Sequence, residues 1–157
     1  MRYVNDSEEN MFKILIVDNN EYHRKNLMSM IDELGNFMIV EAGNADDGVE
    51  KIQKMKPDIV ISEIDLSFEN DLEMFEKTKK YSYGAIVITT VQSFEMIQRA
   101  LQIGISDYLL KPISQKQLKV ALERAILQHR QLLCYERALE KTVTLEKHIQ
   151  EPMFHTK

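Results

Sequence analysis

Four polar residues in this chain stand directly at the ends of short apolar runs: Asp18 after ILIV, Glu63 after IVIS, Thr89 closing IVIT, and Lys111 after YLL. An acid that ends a buried run is there for a site rather than for the core. Two carboxylates, a hydroxyl and an ammonium converging on one pocket make an ionic site. A carboxylate in it can attack, ligate a cation, or pair with the lysine. Glu63 raises the sharpest question, because a glutamate reaches one methylene farther than an aspartate would.

The elements that must position these residues are legible as alternating patterns. Strand candidates lie at 12–17, 37–40, 59–62, 85–89 and 108–110. Helix stripes lie between them: Leu27, Ile31 and Leu34; Ala45, Val49, Ile52 and Met55; Leu72 and Phe75; Phe94, Ile97 and Leu101. Gly35, Pro57 and Gly104 mark helix ends, and Ser114 with Gln117 has capping-box spacing. Strands alternating with helices predict an α/β chain with a five-stranded parallel sheet, doubly wound. The strands are apolar throughout, as a sheet covered on both faces requires. Ligands of such sheets bind beyond the carboxyl ends of the strands. The strand-end set is therefore Asp18 and Asn19, Glu41, Glu63, Thr89 and Thr90, and Lys111 and Pro112.

The last helix is long. From residue 114 to about 149 there is neither Gly nor Pro, against an average helix of about 11–12 residues. Leu118, Ala125, Leu132 and Leu139 recur every seven residues, the spacing of a coiled-coil seam. The companion positions Leu122 and Val143 suit a seam, whereas His129 and Glu136 do not. The chain divides into a polar tail at 1–11, a domain at 12–127, and a helical stalk at 128–157 with a disordered end.

At 157 residues with 44% apolar residues, one globular core is expected. A formal charge of -5 and the absence of a Lys/Arg block argue against direct nucleic-acid binding. One cysteine, Cys134, excludes a disulfide framework within the chain, and a reduced, cytoplasmic setting fits. No apolar run approaches the ~18 residues of a membrane span, and no apolar signal segment opens the chain. The first turn, DNNEYH, has no glycine-rich phosphate loop of the kind a nucleotide or flavin binder needs. The four histidines, His23, His129, His148 and His155, lack metal spacing and read as solvated. Cys134 has no activating base near it in sequence.

The stretches ILIVDNN (14–20), KPDIVISEIDL (56–66), IVITT (86–90) and ISDYLLKPIS (105–114) together resemble the receiver domain of bacterial two-component response regulators, the chemotaxis-regulator-like, flavodoxin-like fold. The resemblance covers about 11–127. It implies a signalling module rather than an enzyme. Asp18 matches the first of two acids that end the first strand, and Asn19 stands where the second acid is expected. Glu63 stands at the phosphoacceptor position, a register supported by Leu72 and Glu73 at the third helix. Thr89 matches the switch hydroxyl, Tyr108 the rotating aromatic, Lys111 the phosphate-pairing lysine, and Pro112 the proline after a cis peptide bond. The magnesium set implied is Asp18, Glu63 and the backbone carbonyl of Asp65.

Two departures bear on the chemistry. Glu63 displaces its oxygens by about 1 Å or more, a misplacement that costs on the order of 10²-fold in rate, and Asn19 removes an anionic ligand. Two carboxylates about 5 Å apart repel by roughly 3 kcal/mol at an effective dielectric of ~20. Without a third acid, Lys111 can offset much of that. No cofactor is expected, and Mg2+ binding is weakened. A Glu63–Lys111 pair near the place of an aspartyl phosphate would hold Thr89 and Tyr108 in an active-like arrangement. The expectation is a degenerate, non-phosphorylated receiver acting through protein partners: itself as a homodimer, a histidine kinase or an output domain. Pairing is expected on the face of the fourth helix, fifth strand and fifth helix. A magnesium-dependent receiver controlling an output domain, using Asp65 if the strand end shifts, is the alternative. A phosphohydrolase built on "EIDLS" is a weaker one, because its usual nucleophile is also aspartate.

Overall fold

A computed structural model describes residues 11–64 and 69–150. Five strands and five helices alternate along them: β1 (Lys13–Val17), α1 (Glu21–Asp32), β2 (Met38–Ala42), α2 (Ala45–Met55), β3 (Ile59–Ile64), α3 (Glu69–Lys77), β4 (Gly84–Thr89), α4 (Phe94–Ile103), β5 (Asp107–Leu110) and α5 (Gln115–Gln150). The strands form one parallel sheet in the order β2-β1-β3-β4-β5. This is the doubly wound, flavodoxin-like arrangement, and the long last helix extends from it.

Side-chain alternation along each strand sorts the core into two layers. Ile14, Ile16, Ile59, Ile61, Ile86 and Ile88 face α1 and the first half of α5, meeting Leu27, Ile31, Leu118, Leu122 and Ala125. Leu15, Val17, Val60 and Val87 face α2, α3 and α4, meeting Ile52, Leu72, Phe75 and Ala100. Burial on both faces is why β1, β3 and β4 carry unbroken apolar runs at 14–17, 59–61 and 85–88. Where α5 crosses the start of β4 the approach is close: a Cβ on Gly84 would run into the backbone of Ala125.

Local chemistry fixes the helix ends. Asn20, Asn44 and Ser93 cap α1, α2 and α4 through their side chains. Gly104 ends α4 in the left-handed region at φ 96°, where a side chain would strain. Ser114 and Gln117 close a reciprocal box at the root of α5, with 3.1 Å from Gln117 N to Ser114 Oγ and 2.9 Å from Ser114 N to Gln117 Oε1.

Two strands run farther than the apolar runs imply. β2 continues through Glu41 to Ala42, pairing with Ile16 and Val17, so Glu41 is not a residue beyond a strand end. β3 continues through Glu63 to Ile64, with Glu63 opposite Ile88 and Ile64 opposite Thr89. The expected polar tail and disordered end fall on 1–10 and 151–157, outside the described residues.

Candidate functional site

β1 and β3 lie side by side at the centre of the sheet, so their carboxyl ends bring Asp18 and Glu63 together. Asp18 is buried, with its side chain 5% exposed, and that of Glu63 is 9% exposed. Asp18 Oδ1 accepts the backbone N–H of Asn20 at 3.0 Å. Its other oxygen, Oδ2, is buried without a hydrogen-bond partner. Lys111, carried past β5 on a cis Lys111–Pro112 peptide, places Nζ 2.7 Å from Glu63 Oε2. Asn19 stands exposed beside these groups and makes none of these contacts.

The geometry sets the proton affinity of Glu63. Its pKa is pushed up to about 7, first by burial and then by the neighbouring Asp18 carboxylate, with Lys111 opposing both. Two acids in a nearly dry pocket disfavour holding two negative charges, and one ammonium only partly compensates.

His23 is exposed, as expected, yet its ring also borders the site. Asn20 Oδ1 accepts the His23 backbone N–H at 3.0 Å and folds the first turn of α1 over the strand ends. The ring Nδ1 comes 3.3 Å from Asp18 Oδ2 and 3.4 Å from Glu63 Oε2. It also lies 3.5 Å from Lys111 Nζ. The only sequence signal was Asn20 as an N-cap three residues ahead, just after a strand end. A cleft of about 400 Å³ opens beside these groups, lined by His23, Leu27, Met30, Glu63, Thr90 and Lys111 among others.

Thr89 and Tyr108 lie one step away and converge on one backbone unit. The buried Thr89 Oγ1 accepts from Val91 N at 3.0 Å, and Tyr108 donates its hydroxyl to Val91 O at 2.8 Å. Burial pushes the Tyr108 hydroxyl up, with Thr89 opposing. Lys111 N donates to Thr89 O at 2.8 Å, linking this pair to the lysine. Glu41 stays out of the pocket: Lys25 Nζ at 3.0 Å and Arg24 Nε at 3.1 Å claim its carboxylate. Those partners, Lys25 first, hold it below the usual 4.5.

His129, also expected in solvent, is buried at the opposite end of the sheet. Its Nε2 is 3.1 Å from Asp58 Oδ1 and its Nδ1 is 2.7 Å from Ser82 O. His155 lies outside the described residues, as does the side chain of His148. Cys134 is exposed and free.

The resemblance implies magnesium, an ion that takes an octahedron of oxygens at about 2.0–2.1 Å. The described residues offer two carboxylates and a ring nitrogen, and the Lys111 ammonium is already 2.7 Å from one of those carboxylates. Asp65, whose carbonyl is the further implied ligand, lies outside the described residues. Magnesium usually takes one or two carboxylates and keeps water in its remaining positions, so Asp18 and Glu63 would hold it, weakened by the Lys111 ammonium already on Glu63.

Comparison with known proteins agrees with the geometry. The family model described as the response regulator receiver domain matches residues 14–123. The chain is 30% identical over 119 residues to the transcriptional regulatory protein HptR of Staphylococcus aureus, covering 74% of this chain and 47% of that protein. It is 27% identical over 121 residues to an uncharacterized response regulatory protein of Vibrio cholerae, covering 76% of this chain and 51% of that one. The chain thus spans about half the length of these relatives. Among solved structures, a receiver domain from Clostridium thermocellum matches with a TM-score of 0.68 at 20% identity, covering 78% of this chain and 99% of that one. The Vibrio cholerae chemotaxis protein CheY4 matches at 0.63 and 22% identity, covering 73% and 98%. At these identities the structural likeness speaks for the fold.

Proposed function

The chain belongs to the response regulator receiver family of two-component signalling, and from that premise we propose that it is a degenerate receiver, one that signals through protein contacts without being phosphorylated. The observation that carries this reading is the Lys111–Glu63 ion pair at 2.7 Å. Glu63 stands at the position of the phosphoacceptor, and Lys111 at that of the lysine that would pair with the phosphoryl group. The side chain that should attack is therefore engaged by the group that should receive its product. Its carboxylate is also drawn toward the proton-bound form, in which it is a poor nucleophile.

The pair stands in for an aspartyl phosphate only in part, because a carboxylate carries one negative charge where a phosphate carries nearly two. The inward hydroxyl of Tyr108 and its shared hold with Thr89 on Val91 fit a receiver resting in an active-like arrangement.

Output then passes to protein partners: a second copy, a histidine kinase or an output domain. Phe94 and Leu101 on α4 are 78% and 65% exposed, a surface suited to pairing. Along α5, the large apolar side chains of Leu132, Tyr135, Leu139 and Val143 are exposed too and support a homodimer. None of the helices described is long and apolar enough to cross a membrane.

The test is the intact mass after incubation with magnesium and acetyl phosphate, beside a Glu63→Asp, Asn19→Asp double variant. An unmodified wild type with a variant that gains a base-labile phosphoryl group is the expected result. A phosphorylated wild type overturns the reading and favours the magnesium-dependent receiver.

A further inference from the structure

The heptad of α5 is divided between two tasks. Leu118 and Ala125 are spent on the sheet, both 0% exposed, while Leu132 and Leu139 stand out at 36% and 47%. A helix turns by about 100° per residue, so Leu132, Tyr135, Leu139 and Val143 share an arc of about 80°. Ala121, Ala125 and Gln128 lie on that same arc within the preceding three turns, and there the domain covers it. Ala121 and Ala125 are buried. Gln128 accepts the Ala85 N–H at 2.9 Å and donates to the Gly104 carbonyl. The apolar stripe of the stalk is therefore the sheet-facing side of α5, carried past the amino edge of the sheet.

That placement decides what can cover the stripe. In a parallel pair in register, each α5 root would run along the arc that the domain already fills around Gly84, Ala85 and Gly104. Two folded domains would then claim one space. An antiparallel pair brings stalk against stalk alone and leaves the two domains at opposite ends. The exposed length from 130 to 146 runs about 25 Å, which holds the whole stripe. Antiparallel pairing does set the Glu136 and Glu140 edges of the two copies side by side. Exposed like charges cost little and salt screens them, whereas close-packed domains cannot overlap. Arg130, Arg137 and Lys141 are exposed on the far side of the helix and stay in solvent.

We propose that the stripe of Leu132, Tyr135, Leu139 and Val143 is a self-docking surface, covered by the same stripe of a second copy running antiparallel. A two-fold axis near 137–138 sets Leu132 of one copy against Val143 of the other, with Tyr135 and Leu139 of both copies about the axis. Four large side chains, 36–63% exposed in the single chain, are covered on each copy. The two receivers are held apart, so the α4 faces carrying Phe94 and Leu101 are left for another partner.

This inference rests on the reading that the chain acts through a second copy, but its experiment contains no phosphodonor. Labelling by acetyl phosphate would overturn the non-phosphorylated reading and leave the stalk contact standing. Failure of the stalk contact would leave the pocket reading standing. The full 157-residue chain carries one cysteine, Cys134, so a Cys134→Ser background makes introduced thiols the sole ones. Single variants Leu132→Cys and Leu139→Cys, and the double variant Leu132→Cys, Val143→Cys, are oxidised mildly and run without reductant. A disulfide bridges Cα atoms up to about 7 Å apart. Antiparallel pairing leaves the two copies of residue 139 about 4.5 Å apart along the axis and those of residue 132 about 16 Å apart. The expected result is a linked dimer from Leu139→Cys and from the double variant, and none from Leu132→Cys alone. Equal linkage of Leu132→Cys and Leu139→Cys would overturn the antiparallel pair in favour of a parallel one. Circular dichroism checks that each variant is folded, and sedimentation of the unaltered chain serves as a second measurement. A chain that sediments only as a monomer, or a dimer that Leu139→Cys does not link, would overturn the self-docking surface.

Discussion

The two ends of the sheet carry the same residue types arranged to opposite effect. At the amino end, Asp58 accepts the Lys13 N–H at 2.7 Å with one oxygen and meets His129 at 3.1 Å with the other, and the second ring nitrogen of His129 is 2.7 Å from Ser82 O. Each of these atoms has a partner. At the carboxyl end, Asp18 keeps one buried oxygen without any, and Glu63 is driven toward protonation beside it. A histidine and a carboxylate in contact are thus no sign of function by themselves. A closed set of hydrogen bonds cements α5 to β3 and β4, and an open one leaves a place for a ligand.

The contrast breaks most sharply at the amino end. Gly84→Ala puts a methyl group into the Ala125 backbone and must push α5 off the sheet. A loss of about 3 kcal/mol or more is expected in denaturant unfolding, at the severe end for overpacking.

His129→Ala comes next. It leaves the Asp58 carboxylate and the Ser82 carbonyl short of a donor, and a loss of about 1–3 kcal/mol is expected. Its pH dependence sharpens the point. Burial lowers the His129 pKa and the bonds to Asp58 and Ser82 raise it, with a net value above the ordinary 6.5. The stabilisation is therefore fully present below about pH 6.5 and is lost as pH rises through the higher folded-state value. Unfolding midpoints measured from pH 5.5 to 8.5 should fall through that window in the wild type and flatten in the variant.

The smallest effect belongs to the carboxyl end. Asp18→Asn keeps an oxygen for the Asn20 N–H but removes the like charge beside Glu63. Stability should be unchanged or rise by up to about 1 kcal/mol, as where a site holds repulsion that the fold alone does not need. A loss comparable to that of His129→Ala would show that both ends are structural.

The sequence made the fold legible because burial on both faces leaves a plain mark: unbroken apolar runs at 14–17, 59–61 and 85–88 become the three central strands of the sheet. The edge was less legible. Glu41 looks like a residue past a strand because its polar head gives no hint that its backbone still pairs with Ile16. Among the site residues, Asp18, Glu63 and Lys111 were visible from position alone, since each ends an apolar run or follows one. His23 and His129 were not, because most of their partners, Glu63 and Lys111 for the one and Asp58 and Ser82 for the other, come from distant parts of the chain. Asp58 lies 71 positions from His129, and Lys111 lies 88 from His23. Helical spacing places His129 on a seam and says nothing of the carboxylate waiting beneath it.

The unbroken course of α5 has one more consequence. Its root is locked to the sheet through Leu118, Leu122 and Ala125, and from 130 to 146 every residue except the half-buried Leu133 is exposed, with no break in the helix. A helix advances about 100° per residue, so the sheet dictates the compass bearing of every side chain along that exposed length. One residue inserted near 130 would swing the far apolar stripe by about 100° relative to α4. Seven would restore its bearing to within about 20°. The receiver is in this sense a keyed shaft, and whatever grips its far end must match its phase as well as its surface.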